Sequence, residues 1–436
     1  RLFVCTYFCY MKIEELYAVY LSHPSIQTDT RKLKAGDLYF ALKGPNFNGN
    51  AFAATALEAG AAFAVIDEVA YSVEGKTILV DDVLQTLQAL AKHHRQQFSI
   101  PFLAITGSNG KTTTKELIHA VLTTRFKTYT TEGNLNNHIG VPLTILKVGL
   151  DAQLAVIEMG ANHIGEIASY CAIALPTHGL ITNCGKAHLE GFGSEEGVRK
   201  GKGELFDHLR ENGGTAFVMW DFPYLRDMSS GISKIFKYGS VEGDVVGTAT
   251  ASDPFLEVLF TKGFDGTVKT ALVGGYNLPN VLAAVTVGSH FGVEGEEIKR
   301  ALAAYQPSNS RSQLIRKGSN TIILDAYNAN PSSMKLAIEN FANSKGDNKI
   351  LLLGSMAELG AGSVQEHKAI VNEISKHQWK DVVLVGGDFM KFDHTFRSMN
   401  SVTEAGSWLQ SKNPQNSSLL IKGSRSASME KILDYL

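Results

Sequence analysis

The sequence predicts an α/β protein with more than one doubly wound parallel sheet. Short apolar runs alternate with helical patterns along most of the chain, and the helical face at 117, 118, 121, 122 and 126 is one example. At roughly 150 residues per domain, the 436 residues suggest about three domains. The runs predicted as buried strands are Phe102–Thr106, Ala155–Ile157, Gly179–Thr182, Ile322–Leu324, Leu351–Leu353, Val382–Val385 and Leu419–Ile421.

Composition narrows the class of protein. Hydrophobic residues make up 44% of the chain and charged residues 19%, which indicates packed cores rather than a disordered chain. The net charge of -2 argues against a large nucleic-acid footprint and against a polybasic membrane surface. No apolar run approaches the roughly 18 residues of a membrane span. The four cysteines show no CxxC pair, which favours a reducing cytosol over a disulfide scaffold.

Domain boundaries are predicted at two breaks. Pro101 precedes the first long apolar strand, and a polar stretch over residues 306–310 separates a helix from the next strand. We therefore expect domains at about 11–98, 99–309 and 310–436. Residues 1–10 are apolar and aromatic, and we expect them to be an upstream extension outside the fold.

A glycine-rich loop carries the strongest local signal for chemistry. Residues 106–114 (TGSNGKTTT) lie between an apolar strand and an amphipathic helix, as in phosphate-binding loops. Lys111 would neutralise the β- and γ-phosphates, and the Thr112 hydroxyl would bind Mg²⁺. The strict P-loop spacing requires a glycine where Ile105 stands, so this is a shortened variant. The alternative is an incidental glycine-rich turn with a surface lysine.

Two further residues follow predicted strands, where open α/β sheets bind their ligands. Glu158 is a candidate metal ligand, and His188 could bind a second ion. Either residue alone is more often a loop hydrogen-bonder. By composition, Lys202 is predicted to lie on the solvated face at the start of a helix. Asn277 and Asn280 are predicted to be a helix cap and its neighbour.

Taken together, several motifs resemble the Mur ligases of bacterial peptidoglycan synthesis. The resemblance runs from about residue 28 to the C-terminus and is most specific at EMGANHIGEI (158–167), at the run that begins at Asp325 and at Lys422–Arg425. The other motifs that carry it are TGSNGKTTTKE, TEGNLNNHIGVPLT (131–144), ITNCGKAHLEGFGS (181–194) and GGYNLPNVLAA.

The resemblance implies a three-domain fold and an ATP-dependent amide ligase. A central P-loop-like doubly wound sheet would be flanked by an N-terminal α/β UDP-sugar domain (11–98) and a C-terminal Rossmann-like ligase domain (310–436). The enzyme would add D-alanyl-D-alanine to UDP-N-acetylmuramoyl-tripeptide through an acyl phosphate, with two Mg²⁺ ions. It would be a cytoplasmic monomer of cell-wall biogenesis, and hence of cell shape and division, without nucleic acid or membrane insertion. The third residue of the peptide, diaminopimelate or lysine, stays open.

The resemblance also assigns roles to residues. Lys111, Glu158, His188 and Lys202 would be catalytic; Thr112, Glu158, His188 and carbamylated Lys202 would bind metal. The nucleotide would contact Gly107, Ser108, Asn109, Gly110, Lys111, Thr112, Thr113, Asn277, Asn280, Arg311 and Asp325. The other substrates would contact Thr30, Arg31, Lys43, Gly44, Asn46, Asn134, Asn137, Asn328, Ser424 and Arg425.

Two positions depart from the family pattern, and other classes of protein have to be weighed. Residues 47–50 (FNGN) stand where Asp-Gly-His is common, and Ser355 replaces a frequent Asp. A GTPase-type switch protein would need a guanine-reading Asn-Lys-x-Asp motif, which the sequence lacks. A different Mur-type ligase, or an enzyme like folylpolyglutamate synthase, would carry other residues at EMGANH and DAYNANP. A non-enzymatic interaction protein is the weakest alternative, because so many polar loop residues follow strand ends.

Overall fold

The computed structural model describes residues 11–308 and 310–436. The predicted extension at residues 1–10, and Asn309 at the predicted domain boundary, lie outside the described residues. The chain forms two compact units. The first contains the described residues up to Ala104 with Lys127–Gly160 and Ala168–Thr177, and the second contains Ile105–Phe126, Ala161–Ile167 and His178–Leu436 apart from Asn309.

The first segment of the chain builds a small parallel sheet and a short hairpin. The sheet has the order β1-β2-β5-β6, and β3 pairs with β4 in antiparallel fashion. The alanine-rich segment Ala53–Glu58 forms a helix, and its buried Ala53 and Ala56 pack beside the sheet residues Tyr39 and Ile66. The elements are α1 Ile13–Ser22, β1 Ile26–Gln27, β2 Leu38–Phe40, β3 Lys43–Gly44, β4 Phe47–Asn48, α2 Ala53–Glu58, β5 Phe63–Ile66, β6 Thr77–Leu79 and α3 Val83–Arg95.

The middle of the chain builds a nine-stranded sheet in the order β15-β14-β13-β12-β11-β10-β7-β9-β8. Its strands are β7 Phe102–Thr106, β8 Thr128–Thr130, β9 Leu154–Glu158, β10 His178–Ile181, β11 Thr215–Met219, β12 Lys234–Gly239, β13 Val245–Ser252, β14 Phe255–Lys262 and β15 Gly266–Val273. Its helices are α4 Lys111–Leu122, α5 Gly140–Leu146, α6 Glu166–Ala174, α7 Leu189–Phe192, α8 Glu195–Glu211, α9 Pro223–Met228, α10 Leu278–His290 and α11 Gly295–Ala304.

Burial explains the two kinds of strand in this sheet. All five residues of β7 are buried, as expected for a parallel strand with helices on both faces. The antiparallel strand β14 alternates instead, with Leu256 and Val258 buried and Leu259 exposed. The strands β13, β14 and β15 were not among the predicted ones, and polar residues interrupt the apolar residues of each of these eight-residue strands.

The last segment builds a six-stranded sheet in the order β16-β17-β21-β18-β19-β20. Met334 and Phe341 of one helix pack with Leu351 and Leu353 of the sheet. Leu409 of another helix packs in a separate cluster, with the strand residues that alternate in sequence with those two leucines. The sheet is therefore covered on both faces. The elements are β16 Gln313–Lys317, β17 Asn320–Asp325, α12 Pro331–Asn343, β18 Ile350–Gly354, α13 Ser363–Ile374, β19 Asp381–Val385, β20 Arg397–Met399, α14 Val402–Lys412 and β21 Ser418–Lys422.

The predicted fold class is confirmed, since the strands predicted from apolar runs are present with ends that differ by one or two residues. Helix α4 begins at Lys111, six residues before Leu117, the first residue of the predicted apolar face. Among the helices of residues 11–308 and 310–436, none combines the length and apolar character that crossing a bilayer requires.

Candidate active site

At two positions of the glycine-rich loop after β7, the backbone conformation and the close neighbours accommodate only glycine. Gly107 has a φ of 139°, and a Cβ there would lie 2.0 Å from Thr182 Oγ1. Gly110 has a φ of 80° and precedes the first residue of α4, and a Cβ there would lie 2.7 Å from Asn280 Oδ1. Because both glycines are in the left-handed region and tightly enclosed, the loop can turn sharply into the helix N-terminus.

The segment after β10 holds this loop in place. The Asn183 carbonyl accepts from the Ser108 N–H at 2.8 Å, and Asn183 Oδ1 accepts from the Asn109 N–H at 3.1 Å. The Thr182 hydroxyl donates to the Asn109 carbonyl at 2.6 Å. Strands β7 and β10 are neighbours at the point where the strand order reverses, which is where open α/β sheets form their ligand crevice.

Lys111 lies over the loop rather than away from it. Its Nζ donates to the Gly107 carbonyl at 2.7 Å and to the Ser108 carbonyl at 3.3 Å. Thr112 is buried in the first turn of α4, next to Thr113. An ammonium group, a hydroxyl and the positive end of a twelve-residue helix are thus brought together, and this combination binds phosphate groups.

Lys202 is completely buried in the middle of α8, so the interpretation as a solvated helix face is wrong. Its Nζ donates to the Ala161 carbonyl at 2.8 Å and lies 5.0 Å from the centre of the Phe192 ring. Burial, and secondly the charge of Lys111, hold the pKa of Lys202 well below its ordinary value. Burial therefore favours the neutral amine, which is the nucleophilic form, over the ammonium.

His188 follows β10 and contacts the segment after β18. Its Nδ1 lies 2.5 Å from Glu358 Oε2, and the Glu190 N–H donates to the Glu358 carbonyl at 3.2 Å. The contact with His188 holds the pKa of the Glu358 carboxyl below its usual range. The structure thus brings His188 to a carboxylate that had no predicted role.

Glu158 ends β9 in the other compact unit and is buried with only 1% of its surface exposed. Its Oε1 accepts from Asn136 Nδ2 at 2.7 Å, and its backbone N–H donates to the Thr131 hydroxyl at 2.9 Å. Asn136 was missed by sequence reasoning although it lies between two predicted substrate residues. The two predicted substrate residues on either side of Asn136 have other surroundings. Asn134 is exposed, and Asn137 Oδ1 accepts a hydrogen bond from the Gly140 N–H at 2.8 Å.

The donor chemistry of these residues fits Mg²⁺ held mainly by phosphate oxygens. In residues 11–308 and 310–436, no three His, Cys, Asp or Glu side chains form a group able to hold a metal ion. Mg²⁺ usually takes one or two protein oxygens together with substrate phosphates and water, and in the second unit the Thr112 hydroxyl is such an oxygen. The Glu158 carboxylate, in the first unit, has the same oxygen chemistry. An amine such as Lys202 does not suit Mg²⁺, whereas its carbamate would offer oxygen.

Asn277 and Asn280 form a buried relay at the start of α10. Asn277 Nδ2 donates to the Val273 carbonyl at 2.9 Å, and Asn280 Nδ2 donates to Asn277 Oδ1 at 2.8 Å. The Thr114 hydroxyl then donates to Asn280 Oδ1 at 3.0 Å. The pair therefore connects the end of β15 to the helix that follows the glycine-rich loop. The alternative prediction of a helix cap is not met by the side chains, since neither makes a capping hydrogen bond to α10.

A second group of polar residues lies at the ends of β17 and β21, where Asp325 and Lys422 are in register. The buried Lys422 Nζ donates to Asp325 Oδ2 at 2.5 Å and to the Asn328 carbonyl at 3.3 Å. The Arg311 guanidinium stacks 3.5 Å above the Tyr327 ring, and that of Arg425 lies 5.7 Å from the same ring. The sequence analysis placed Lys422 in a family motif without predicting a role for it, and it did not predict Tyr327 as a site residue.

Ser424 and Arg425, two predicted substrate residues, differ in their surroundings. The Ser424 side chain is buried and its Oγ lies 3.0 Å from Ser426 Oγ, while Arg425 is exposed and lies 3.9 Å from Glu430. Arg425 is thus accessible to a charged ligand, and Ser424 is less so.

Within the second compact unit, the glycine-rich loop and the segment after β10 also contact the beginning of α12 and α13. Asn330 Nδ2 donates to Asn109 Oδ1 at 2.7 Å. The Lys186 N–H donates to Ser332 Oγ at 3.0 Å, and Lys186 Nζ lies 2.7 Å from Glu366 Oε1. These contacts were not predicted, because they join residues more than 140 positions apart.

The candidate residues of the first segment lie around the β3–β4 hairpin. Lys43 Nζ lies 3.1 Å from Asp67 Oδ1, and Asn46 is exposed at the hairpin turn. At Gly44, an added Cβ would meet the Phe47 ring at 2.4 Å. The unusual Asn50 is buried, and its Nδ2 donates to Asp67 Oδ1 at 2.7 Å, so this side chain serves the fold of the hairpin.

The other pair of candidates in this segment, Thr30 and Arg31, lies in a short 3₁₀ turn capped by Asp29. The exposed Arg31 guanidinium donates to both Asp29 oxygens, at 2.9 and 2.8 Å, and lowers the pKa of Asp29 to about 2.

Comparisons with known proteins agree with this arrangement. Residues 24–95 match the model of the Mur ligase family catalytic domain, residues 105–288 that of the Mur ligase middle domain, and residues 310–425 that of the Mur ligase glutamate ligase domain.

The sequence is 38% identical to the UDP-N-acetylmuramoyl-tripeptide–D-alanyl-D-alanine ligase of Bacillus subtilis (strain 168), over 79% of this chain and 76% of the relative. It is 36% identical to the Escherichia coli (strain K12) ligase of the same name, over 97% of this chain and 95% of the relative. The fold matches the crystal structure of the MurF ligase from Thermotoga maritima in complex with ADP with a TM-score of 0.84, at 27% identity, over 95% of this chain and 97% of that one.

The motifs, the phosphate-binding geometry and the extent of these matches lead to one conclusion: the chain belongs to the Mur ligase family.

Proposed function

We propose that this protein is an ATP-dependent, ADP-forming amide ligase that joins D-alanyl-D-alanine to UDP-N-acetylmuramoyl-tripeptide. The observation that carries the proposal is the glycine-rich loop at the switch point of the sheet, with Lys111 folded over it. The relatives from Bacillus subtilis and Escherichia coli, which this chain matches over most of their length, are named as ligases of that activity. A cytoplasmic location and a monomeric state belong to the same proposal.

Amide formation from a carboxylate at neutral pH requires an activated acyl group. Transfer of the γ-phosphoryl group of ATP to the peptide carboxylate would form an acyl phosphate, and attack by the D-alanyl-D-alanine amine would then expel inorganic phosphate. Such phosphoryl transfer depends on positioning and charge neutralisation rather than on a protein nucleophile. Lys111 and the N-terminus of α4 supply positive charge at the phosphates, and Asn277 and Asn280 support the helix that carries them.

Thr112 and His188, both in the second unit, would bind Mg²⁺, and when bound the ion would neutralise the phosphates and orient the transferred group. Glu158 is proposed as a metal ligand in the first unit. Lys202 would join these ligands as a carbamate formed with CO₂. Its complete burial and lowered pKa support this, because carbamylation requires the neutral amine. The neighbouring Lys111 charge would then be opposite in sign to the carbamate and would stabilise it.

The remaining substrate contacts follow from the surroundings of each candidate. The exposed Arg31, Lys43 and Asn46 would bind the UDP-sugar in a domain over residues 11–98. Arg311, stacked on Tyr327, and Asp325, held by Lys422, would contact ATP from a domain over residues 310–436. Asn328, Ser424 and Arg425 would bind the dipeptide side, with residues 99–309 between the two outer domains.

The test supplies the purified chain with ATP, Mg²⁺, D-alanyl-D-alanine and a UDP-N-acetylmuramoyl-tripeptide that ends in either diaminopimelate or lysine. We expect phosphate release with one or both peptides, and far more of it with D-alanyl-D-alanine than without. Equal release with single D-alanine, or with a diamino acid as acceptor, would contradict the proposed substrate.

A further inference from the structure

Asn330, the residue that caps the N-terminus of α12, uses both branches of its side-chain amide. Its Oδ1 accepts from the Ser333 N–H at 2.9 Å, and its backbone N–H donates to the Ser333 hydroxyl at 3.1 Å, so the two residues form a capping box. Its Nδ2 donates to Asn109 Oδ1 at 2.7 Å. One buried side chain therefore caps a helix and contacts the glycine-rich loop, 221 positions away in the sequence.

The helix cap determines which way both asparagine amides face. The Ser333 N–H can only donate, so the oxygen of the Asn330 amide must face it and the nitrogen must lie on the other branch. That nitrogen can only donate in turn, so Asn109 must present its oxygen to Asn330. The Asn109 Nδ2 then lies on its other branch, 3.6 Å from where a Cβ on Gly185 would stand. The backbone of α12 thus sets the orientation of a side chain in the glycine-rich loop.

The backbone of Asn109 is held by a different segment. Its N–H donates to Asn183 Oδ1 at 3.1 Å, and its carbonyl accepts from the Thr182 hydroxyl at 2.6 Å and from Asn183 Nδ2 at 3.0 Å. These contacts fix the main chain of the loop but do not determine the torsion angles of the Asn109 side chain. The hydrogen bond from Asn330 supplies that constraint.

The first turn of α12 is itself packed closely against the segment after β10. The Lys186 N–H donates to Ser332 Oγ at 3.0 Å, and a Cβ on Gly185 would lie 2.8 Å from the same oxygen. Because the helix start has little room to move, the cap residue Asn330 is held at a defined distance from the glycine-rich loop.

We propose that Asn330 is a positioning residue for the nucleotide site, which orients the Asn109 amide so that its NH₂ group can donate to a phosphate oxygen. This rests on the proposed function, in which Asn109 contacts ATP. Phosphate oxygens only accept hydrogen bonds, so an Asn109 amide turned the other way would bring its own oxygen against them. The affinity for ATP then depends on a residue of the C-terminal segment that acts through Asn109.

The test measures the affinity of the full chain for a non-hydrolysable ATP analogue with Mg²⁺, by calorimetric titration. Asn330→Ser keeps an oxygen that caps the helix, because serine is about as good an N-cap as asparagine, but its shorter side chain does not reach Asn109. We expect the affinity to fall about three- to tenfold, the range for one neutral hydrogen bond. Ser333→Ala is the matched control, since it removes the other half of the capping box and leaves the Asn330 amide in place. It should bind the analogue as the wild type does.

A double substitution separates positioning from a general loosening of α12. In a chain that carries Asn109→Ala there is no amide to orient, so adding Asn330→Ser should change the affinity less than about twofold further. An equal loss in both backgrounds would overturn the inference, because Asn330 would then act by supporting the fold. Unchanged affinity in Asn330→Ser, or the same loss in Ser333→Ala, would overturn it as well.

Failure of the proposed function gives a different result. A wild-type chain that did not bind the ATP analogue would overturn the proposed function and this inference with it. A wild-type chain that binds the analogue and releases phosphate with its expected substrates, while Asn330→Ser binds equally well, would overturn this inference alone.

Discussion

At the scale of single residues, the environment of Lys202 decides what its side chain can do. A lysine near the start of a polar helix is ordinarily solvated, but this side chain lies in the interior, where its charged form is disfavoured. Its hydrogen bond to the Ala161 carbonyl has a neutral acceptor, and the burial that lowers its pKa outweighs the nearby negative charges of Glu166 and Glu204. The neutral amine is therefore favoured, and this is the form that the proposed carbamylation requires.

Replacing Lys202 tests this. We expect Lys202→Ala to lose at least about 100-fold in turnover, a range typical for loss of a group that stabilises charge in the transition state, and to regain part of it with acetate or formate. Phosphate release measured with and without these anions provides the test.

Two controls accompany the Lys202 test. Lys200→Ala alters an exposed lysine on the same helix and should keep near-normal turnover. Lys202→Met fills the same space but leaves no room for an anion, so acetate should not rescue it. Near-normal turnover of Lys202→Ala would rule out the carbamate.

At the scale of elements, the glycine-rich loop depends on close packing against the segment after β10. In Gly107→Ala the new Cβ would overlap Thr182 Oγ1 and approach the Thr182 and Asn183 backbone nitrogens at 3.0 and 3.1 Å. Since backbone cannot move aside as a flexible side chain can, we expect ATP affinity to fall at least about tenfold and stability to fall by about 1–3 kcal/mol.

Calorimetric titration with ATP and urea unfolding would measure the two effects of Gly107→Ala. Gly362→Ala is the matched control, because a Cβ there has no atom within 4 Å and the backbone is not in the left-handed region. Unchanged ATP affinity in Gly107→Ala would show that this loop does not bind the nucleotide.

The start of β10 carries a second element-level feature, a pair of histidines among aromatic rings. His178 Nε2 lies 3.3 Å from His290 Nε2, and Phe217 and Phe291 pack against the pair. Burial, followed by the charges of His290 and Lys234, lowers the pKa of His178 to about 4, and burial lowers that of His290. Both imidazoles are thus neutral in the folded chain at neutral pH.

This pair predicts acid sensitivity. Between about pH 6.5, the ordinary histidine value, and pH 4 the unfolded chain binds protons that the folded chain does not, so the free energy of unfolding falls as the pH falls. The contribution of His178 amounts to about 3.5 kcal/mol at most, at about 1.4 kcal/mol per pKa unit. Urea unfolding at pH 7.5 and pH 5 should show a smaller difference for His178→Phe than for the wild type. The exposed His138→Gln should keep the wild-type difference.

At the scale of the whole molecule, the candidate sites for the nucleotide and for the UDP-sugar lie on separate parts of the chain. Lys111 lies in the second compact unit, whereas Arg31 and Lys43 lie in the first. We therefore expect Lys111→Ala to abolish phosphate release while the affinity for a UDP-sugar changes less than about twofold, since substitutions in independent parts of a chain act nearly independently. A folded variant that lost both to a similar extent would contradict the predicted division of the chain.

Much of this protein was predictable from local sequence. The apolar runs predicted the buried strands, because a strand covered on both faces needs apolar residues at successive positions. The glycines at 107 and 110 predicted the phosphate loop, because the turn into α4 needs a backbone without Cβ. The motifs also indicated the family, which the comparisons confirmed.

Only the tertiary structure decided how polar residues are paired and buried. Lys202 reads as a surface residue until α8 is packed, and Glu358, Asn136 and Lys422 acquire partners only through contacts between distant segments. Local sequence sets backbone conformation and the period of apolar residues, whereas desolvation and ion pairing depend on which surfaces meet. That is why the sequence predicted the sheets and the loop, and why the burial of Lys202 and the partner of His188 emerged only from the folded chain.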